Sequence, residues 1–144
     1  IDWGYTPATY ANGMIFAPLT DGTVQAFDAK TLESLWVYSD PLKGQALSPI
    51  TYSDGYIYTG FWNSEIKDAA YVCIPVTDED AENTTEAQKA LWRDVVKGGF
   101  YWAGSVVVGD YVVYGTDDAT SGSTGTAKIL SRNKPQSIAF TILP

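Results

Sequence analysis

A chain of 144 residues with 17 acidic and 9 basic side chains carries a formal charge of −8, which disfavours nucleic acid and anionic membrane surfaces as partners. No apolar stretch approaches the roughly 20 residues of a membrane helix, so no membrane insertion is expected. Histidine is absent from the whole sequence; this removes the commonest general base and transition-metal ligand, and with it any Ser/His or Cys/His nucleophile within the chain.

In chain order, three passes of one pattern can be laid over one another. The first opens with Thr6-Pro7-Ala8-Thr9-Tyr10, turns at Asn12-Gly13 and rises through Met14-Ile15-Phe16-Ala17. It ends in a hairpin from Gly22 to Trp36, where a strand of period two leads through the turn Asp28-Ala29-Lys30-Thr31 into a second strand that closes on Trp36. The second pass opens with Ser48-Pro49-Ile50-Thr51-Tyr52, turns at Asp54-Gly55, continues through Tyr56 to Gly60, and takes Tyr71 to Val76 and Ala90-Leu91-Trp92 as its outer pair. The third runs from Gly104 through Val108, turns at Gly109-Asp110, continues through Tyr111 to Gly115, and ends in Ala127 to Ser131 and Ser137 to Ile142.

Asn-Gly and Asp-Gly between apolar alternations predict type I′ hairpins, because both central residues of that turn need positive φ. Asn12 and Asp54 open two such turns 42 residues apart. Four strands in a period of roughly 40 to 50 residues indicate the blades of a β-propeller rather than a sandwich. The expected fold is therefore all-β, with antiparallel four-stranded blades at 5–40, 46–97 and 101–144, the second interrupted by insertions at 60–70 and 77–88.

The same residues carry a family resemblance. Val24, Ala26, Asp28, Thr31 and Trp36 stand at the spacing of the pyrroloquinoline-quinone-type repeat of quinoprotein alcohol dehydrogenase-like propellers, whose outline is Gly-x-Val-x-Ala-x-Asp-x-x-Thr-Gly-x-x-x-Trp. The inner strands of the second pass also resemble that repeat, and the likeness covers most of residues 6 to 142. Leu32 stands where the family has Gly, Val76 and Ser131 replace the Asp, and Phe140 replaces the Trp. The resemblance implies that Asp28 and Thr31 shape the outer turn and that Trp36, Trp92 and Phe140 pack blade against blade. It also implies, for dehydrogenases of the family, an adjacent-cysteine disulfide, a calcium held by Glu, Asn and Asp, and a catalytic Asp near the propeller axis. A single cysteine, Cys73, does not supply that disulfide, and no stretch matches the calcium site, so neither the quinone nor calcium is expected on this chain.

Three blades do not close a ring of four to eight. Ile1-Asp2-Trp3-Gly4 has no initiator Met and no signal-peptide pattern, and the sequence is still strand-like from Ile138 to Leu143. The expectation is an arc completed by further blades, on the same polypeptide or on another chain, or by homo-oligomeric closure, in a protein working at the cell surface, outside the cell or in the periplasm. Cys73 falls within a strand and reads as a buried structural thiol.

Function is expected in the loops that exceed what a hairpin needs. The acidic run Asp78-Glu79-Asp80-Ala81-Glu82 spaces its carboxylates as an EF-hand does, but Asn83 and Lys89 stand where that loop needs Gly and Glu, so no metal is assigned. It reads instead as a solvated loop leading into a short helix, with Thr85 and Gln88 as a capping box. Asn83-Thr84-Thr85 fits a glycosylation sequon, and Asp117-Asp118 with the Ser/Gly-rich stretch 119–125 reads as a turn. Most aromatics belong to strands, leaving Trp62, Tyr101 and Trp102 as the ligand-binding candidates. The preferred reading is a non-catalytic binding or scaffold module for a protein or other ligand. The alternatives are a segment of a quinone-dependent dehydrogenase whose cofactor residues lie mostly elsewhere, and a glycan-binding surface module.

Overall fold

The structure, a computed structural model, describes residues 6–102, 104–116, 126–131 and 134–141, the last two stretches by backbone alone. Ile1 to Gly4, Asp117-Asp118 and the stretch 119–125 lie outside the described residues. The described residues form thirteen strands and no helix, in three sheets that are antiparallel apart from one short parallel pair. The first blade is β1 (Thr9–Ala11), β2 (Met14–Pro18), β3 (Thr23–Asp28) and β4 (Ser34–Ser39), paired in that order. Next in the chain come β5 (Thr51–Ser53), β6 (Tyr56–Gly60), β7 (Asp68–Pro75), β8 (Glu86–Ala87) and β9 (Trp92–Lys97). β5, β6, β7 and β9 form the second blade, while β8 leaves it to pair in parallel with β4 of the first. The third blade is β10 (Val106–Val108), β11 (Tyr111–Gly115), β12 (Thr126–Ser131) and β13 (Lys134–Thr141).

The hairpins between first and second strands follow from their two central residues. Asn12 and Gly13 have φ of 52° and 72°, and Asp54 and Gly55 of 49° and 85°, the type I′ geometry that matches the twist of the flanking strands. In the corresponding turn of the third blade Gly109 is positive, at 56°, and Asp110 is not, as in a type II′ turn, where glycine comes first. The outer turn of the first blade is organised by Asp28. Its Oδ1 accepts from the backbone N–H groups of Lys30 (2.8 Å) and Thr31 (2.9 Å), while its own N–H donates to the Glu33 carbonyl (2.9 Å). Those two amides, Thr31 first, hold its carboxyl below the usual carboxylate range. Leu32 takes φ of 62° here, the left-handed conformation for which glycine carries no penalty.

Blades pack face to face. Phe16, Val24, Ala26, Trp36 and Tyr38 of the first blade share one core with Ile57, Val72 and Ile74 of the second. On the opposite face of the second blade, Tyr58, Tyr71, Cys73 and Trp92 meet Val112 and Tyr114 of the third. β7 is thus buried on both sides, which is why it reads as a continuous apolar run from Ala69 to Ile74. Trp36 is fully buried and its indole N–H donates to the Val76 carbonyl at 3.2 Å. Trp92 occupies the matching place one blade on, 6.2 Å from the Tyr58 ring and 6.4 Å from Tyr114. A fully buried side chain of this size contributes on the order of 3 kcal/mol.

Polar groups tie the same interfaces. Thr9, opening β1, donates its hydroxyl to the Ile50 carbonyl just before β5 (2.8 Å), and Thr51, opening β5, donates to the Ser105 carbonyl just before β10 (3.0 Å). Val106 holds that place in the third blade and has no hydroxyl. Asp40, its side chain fully buried, receives the Arg93 guanidinium from the outer strand of the second blade through two bonds, Nε at 2.8 Å and Nη2 at 3.1 Å. It also accepts from the Tyr38 hydroxyl (2.9 Å) and the Leu42 N–H (3.0 Å). Burial, then the Asp40 charge, pushes the Tyr38 hydroxyl well above its ordinary pKa, and the bond to Asp40 raises Arg93. Tyr114 donates to Asp94 at 2.7 Å across the second interface, and burial, then that bond to Asp94, raises it as well.

Two expectations are corrected. Residues 85–88 form no helix: Asn83 Oδ1 takes the Thr85 N–H, Glu86 and Ala87 pair with Trp36 and Val37, and Gln88 donates its N–H to the Val37 carbonyl and its side-chain amide to the carbonyls of Pro75 and Thr77. An isolated helical turn carries a nucleation cost, whereas the outer edge of β4 offers unpaired backbone groups ready to be covered. The second correction is one of register. Trp36 lies opposite Ala26 and Trp92 opposite Cys73, and the matching place in the third blade, opposite Ile129, is held by Ile138. Phe140 lies two residues on, opposite Ala127, and its side chain lies outside the described residues. The outer hairpin is shorter, with two residues between Ser131 and Lys134 where the first blade has five between Asp28 and Ser34, and a bulge opposite Leu130 and Ser131 takes up part of the difference.

Replacing Leu32, which is 65% exposed, by Gly is expected to raise stability by about 0.5–1 kcal/mol by removing the left-handed penalty with little lost packing; urea unfolding measures it, and a loss would contradict the turn geometry. Arg93→Met is expected to cost about 2–3 kcal/mol in the same assay, since it strands a buried carboxylate, the figure being reduced for the 30% exposure of the Arg93 side chain.

Candidate binding face

In an antiparallel blade the loop between second and third strands and the connector to the next blade emerge at the same end. That end carries Leu19 to Gly22, the connector 40–50, the loop 61–67 and the connector 98–105. The Asn12-Gly13, Asp54-Gly55 and Gly109-Asp110 turns lie at the other.

These segments are stitched to one another. Gly22 accepts from the Asp40 N–H at 2.8 Å, and a Cβ on it would lie 3.0 Å from that of Asp40, so the first loop lies flat on the connector. Gln45 and Trp62 exchange both backbone hydrogen bonds, at 2.7 and 3.0 Å. Asn63 donates its side-chain amide to the carbonyls of Leu42 (3.1 Å) and Asp68 (2.8 Å). The Phe100 N–H donates to the Phe61 carbonyl at 3.0 Å, and Gly60 lets the Phe100 and Tyr71 rings close over the backbone, where a Cβ would come within 2.6 Å of both.

The three aromatics singled out from sequence come together on this face. Trp62 meets Tyr101 edge-on at 5.3 Å and 62°, and Tyr101 lies 4.4 Å from Trp102. Trp102 is 69% exposed and holds φ of 56°, an uncommon conformation for a bulky residue. The Trp62 indole N–H is buried without a hydrogen-bond partner; its ring braces Tyr101 rather than facing solvent openly.

Beside them lie two clefts missed by the sequence reading. One of about 480 Å³ is lined by Leu19, Asp21, Lys43, Gln45, Leu47 and Asn63, among others. The other, about 210 Å³, lies between Thr6, Pro7, Leu47, Pro49 and Trp102. Both include Thr6 and Leu47, so the two adjoin in one grooved surface, with Trp102 beside the smaller. The connector 40–50 supplies Lys43, Gln45, Ala46 and Leu47 to the larger cleft, and no motif marks those residues.

The acidic run serves its own loop, with Glu86 Oε2 accepting from the N–H groups of Glu79 (3.2 Å) and Asp80 (2.9 Å); burial, then Glu86, raises Asp78. Among the described residues no three His, Cys, Asp or Glu side chains gather to hold a metal ion. Cys73 is fully buried between the second and third blades.

No protein-family model matches the chain, and no curated protein does. Solved structures match its fold. A europium-containing methanol dehydrogenase aligns at a TM-score of 0.64 and 14% identity, over 93% of this chain and 24% of that one. A quinohemoprotein alcohol dehydrogenase from Comamonas testosteroni aligns at 0.64 and 14%, over 94% and 20%, and the computationally designed Ika8 protein at 0.64 and 14%, over 90% and 34%. The chain thus spans about a fifth to a third of the length of the structures it resembles, and its three blades share the fold of the segments they align with, a partial β-propeller.

Proposed function

We propose that the chain is a recognition segment of a quinoprotein-like β-propeller, acting outside the cytoplasm and binding its ligand on the face where connectors and middle loops gather. The observation that carries this reading is the run Trp62, Tyr101 and Trp102, in ring-to-ring contact beside two adjoining clefts. A concave site with apolar walls and a few convergent polar groups is the usual form of a ligand pocket, and no histidine is present to act as a general base. The test is saturation-transfer NMR with a mixed fragment library, run beside an alcohol-oxidation assay with added quinone and calcium. The expected result is fragments that bind the chain, lose their signal in Trp102→Ala, and no turnover. Turnover, or fragments indifferent to that substitution, would overturn it.

The third blade supports a partner for the ring. Val106, Val108 and Tyr111 are 61%, 61% and 51% exposed, and by register they share the face opposite Val112 and Tyr114. This is the face that the first and second blades bury against their successors, and a blade buries it only against a neighbour. The occupant is a further blade of the same polypeptide or of another. Native mass spectrometry is expected to show the chain joined to a further propeller segment or to copies of itself, and Val108→Glu to weaken that association. A stable monomer with an intact fold at high concentration would exclude it.

A further inference from the structure

We infer that the groove takes a neutral oligosaccharide, with Trp102 as the platform for a sugar ring; this rests on the recognition reading above and names its ligand class. The groove's charged residues, Asp21 and Lys43, cancel, so its lining selects neither for anions such as phosphate nor for cations, even though the chain as a whole is acidic. Its remaining polar groups are hydroxyls and amides: Thr6, Thr20, Gln45 and Asn63. The Asn63 amide nitrogen already donates twice, which leaves its carbonyl oxygen to offer as an acceptor. The Thr6 hydroxyl donates to the Ala46 carbonyl at 2.8 Å, which leaves its lone pairs to offer. Acceptors and amides set among Leu19, Leu47 and Pro18 suit a ligand whose every ring presents both hydroxyls and C–H faces.

The aromatic end is built for the C–H face. An indole is a large flat apolar surface with a polar edge, and Trp102 is held out into solvent while resting on Tyr101, itself steadied edge-on by Trp62. Trp102 and Lys43 both adopt positive φ, at 56° and 52°, without the short polar side chain that eases such a turn. Backbone strain of this kind persists where the surrounding structure over-determines it, and it clusters at binding sites. A platform ordered before the ligand arrives loses less freedom on binding. Thr6 and Leu47 line both clefts, so the two lie side by side and together offer places for more than one ring, which favours an oligomer over a monosaccharide.

The experiment is a glycan array of neutral and charged oligosaccharides, followed by calorimetry of the best binder with the chain, Trp102→Ala and Gln45→Ala, each checked for an unchanged melting temperature. The expected result is binding of neutral oligosaccharides that weakens about tenfold or more in Trp102→Ala and by a smaller factor in Gln45→Ala, with the monosaccharide bound more weakly than the oligomer. Binding only to charged glycans, weakened by salt, would overturn the neutral class. If no glycan binds while NMR fragments still depend on Trp102, the saccharide class fails and the recognition face stands. If neither dependence is seen, both fail together.

Discussion

The contact between Trp36 and the second blade sets the spacing on which the rest of the structure depends. A four-stranded sheet with apolar side chains on both faces gains little by folding alone; its stability comes from closing on a neighbour. Trp36 reaches from an outer strand across the widest part of the interface and anchors its N–H on Val76, so the indole fills the gap without stranding a buried donor. Trp92 does the same between the second and third blades with ring contacts. At the inner strands, Thr9 and Thr51 bind the next connector by a single hydroxyl each. The aromatics supply most of the free energy, and the hydroxyls, worth about 1 kcal/mol apiece, fix the register.

Much of this frame was legible in the sequence because it is written in local rules. Asn12-Gly13 and Asp54-Gly55 declare their turns through φ alone, and the alternation around Val24 and Ala26 declares which face is buried. Even the departure at Leu32 was readable as a departure, and the structure shows it to be a left-handed residue kept in place by the Asp28 turn. What could not be read depends on pairs remote in sequence. Nothing near Asp40 announces Arg93, 53 residues away. The pairing of Glu86 and Ala87 with β4 was invisible because local spacing suggested a cap, while the competing partner was an edge strand of another blade. The place of Ile138 was missed because motif spacing counts residues, and a shorter outer turn changes the count without changing the ladder.

The site divides along the same line. Trp62, Tyr101 and Trp102 stood out because large aromatics outside strands need a reason. Their meeting is a consequence of topology, since the second blade's middle loop and the connector beyond it leave the sheet at one end. The groove beside them had no motif to announce it. Gln45, Asn63 and Leu47 are unremarkable in sequence, and they matter only because Asn63 clasps Leu42 and Asp68 and Gln45 pairs with Trp62.

Stability and binding are coupled through this arrangement. The larger cleft spans the boundary of the first two blades, with Leu19 and Asp21 on one wall and Gln45 and Asn63 on the other. Beside it stands Asp40, which holds Arg93 of the second blade through its carboxylate and Gly22 of the first blade's loop through its backbone N–H. A change that loosens the blade interface therefore reaches the groove by two connections, whereas a change at Trp102, held out on Tyr101 and 69% exposed, reaches the groove and leaves the interface alone. The aromatic platform is in that sense the part of the face free to vary, and the blade boundary is the part that fixes where the platform stands.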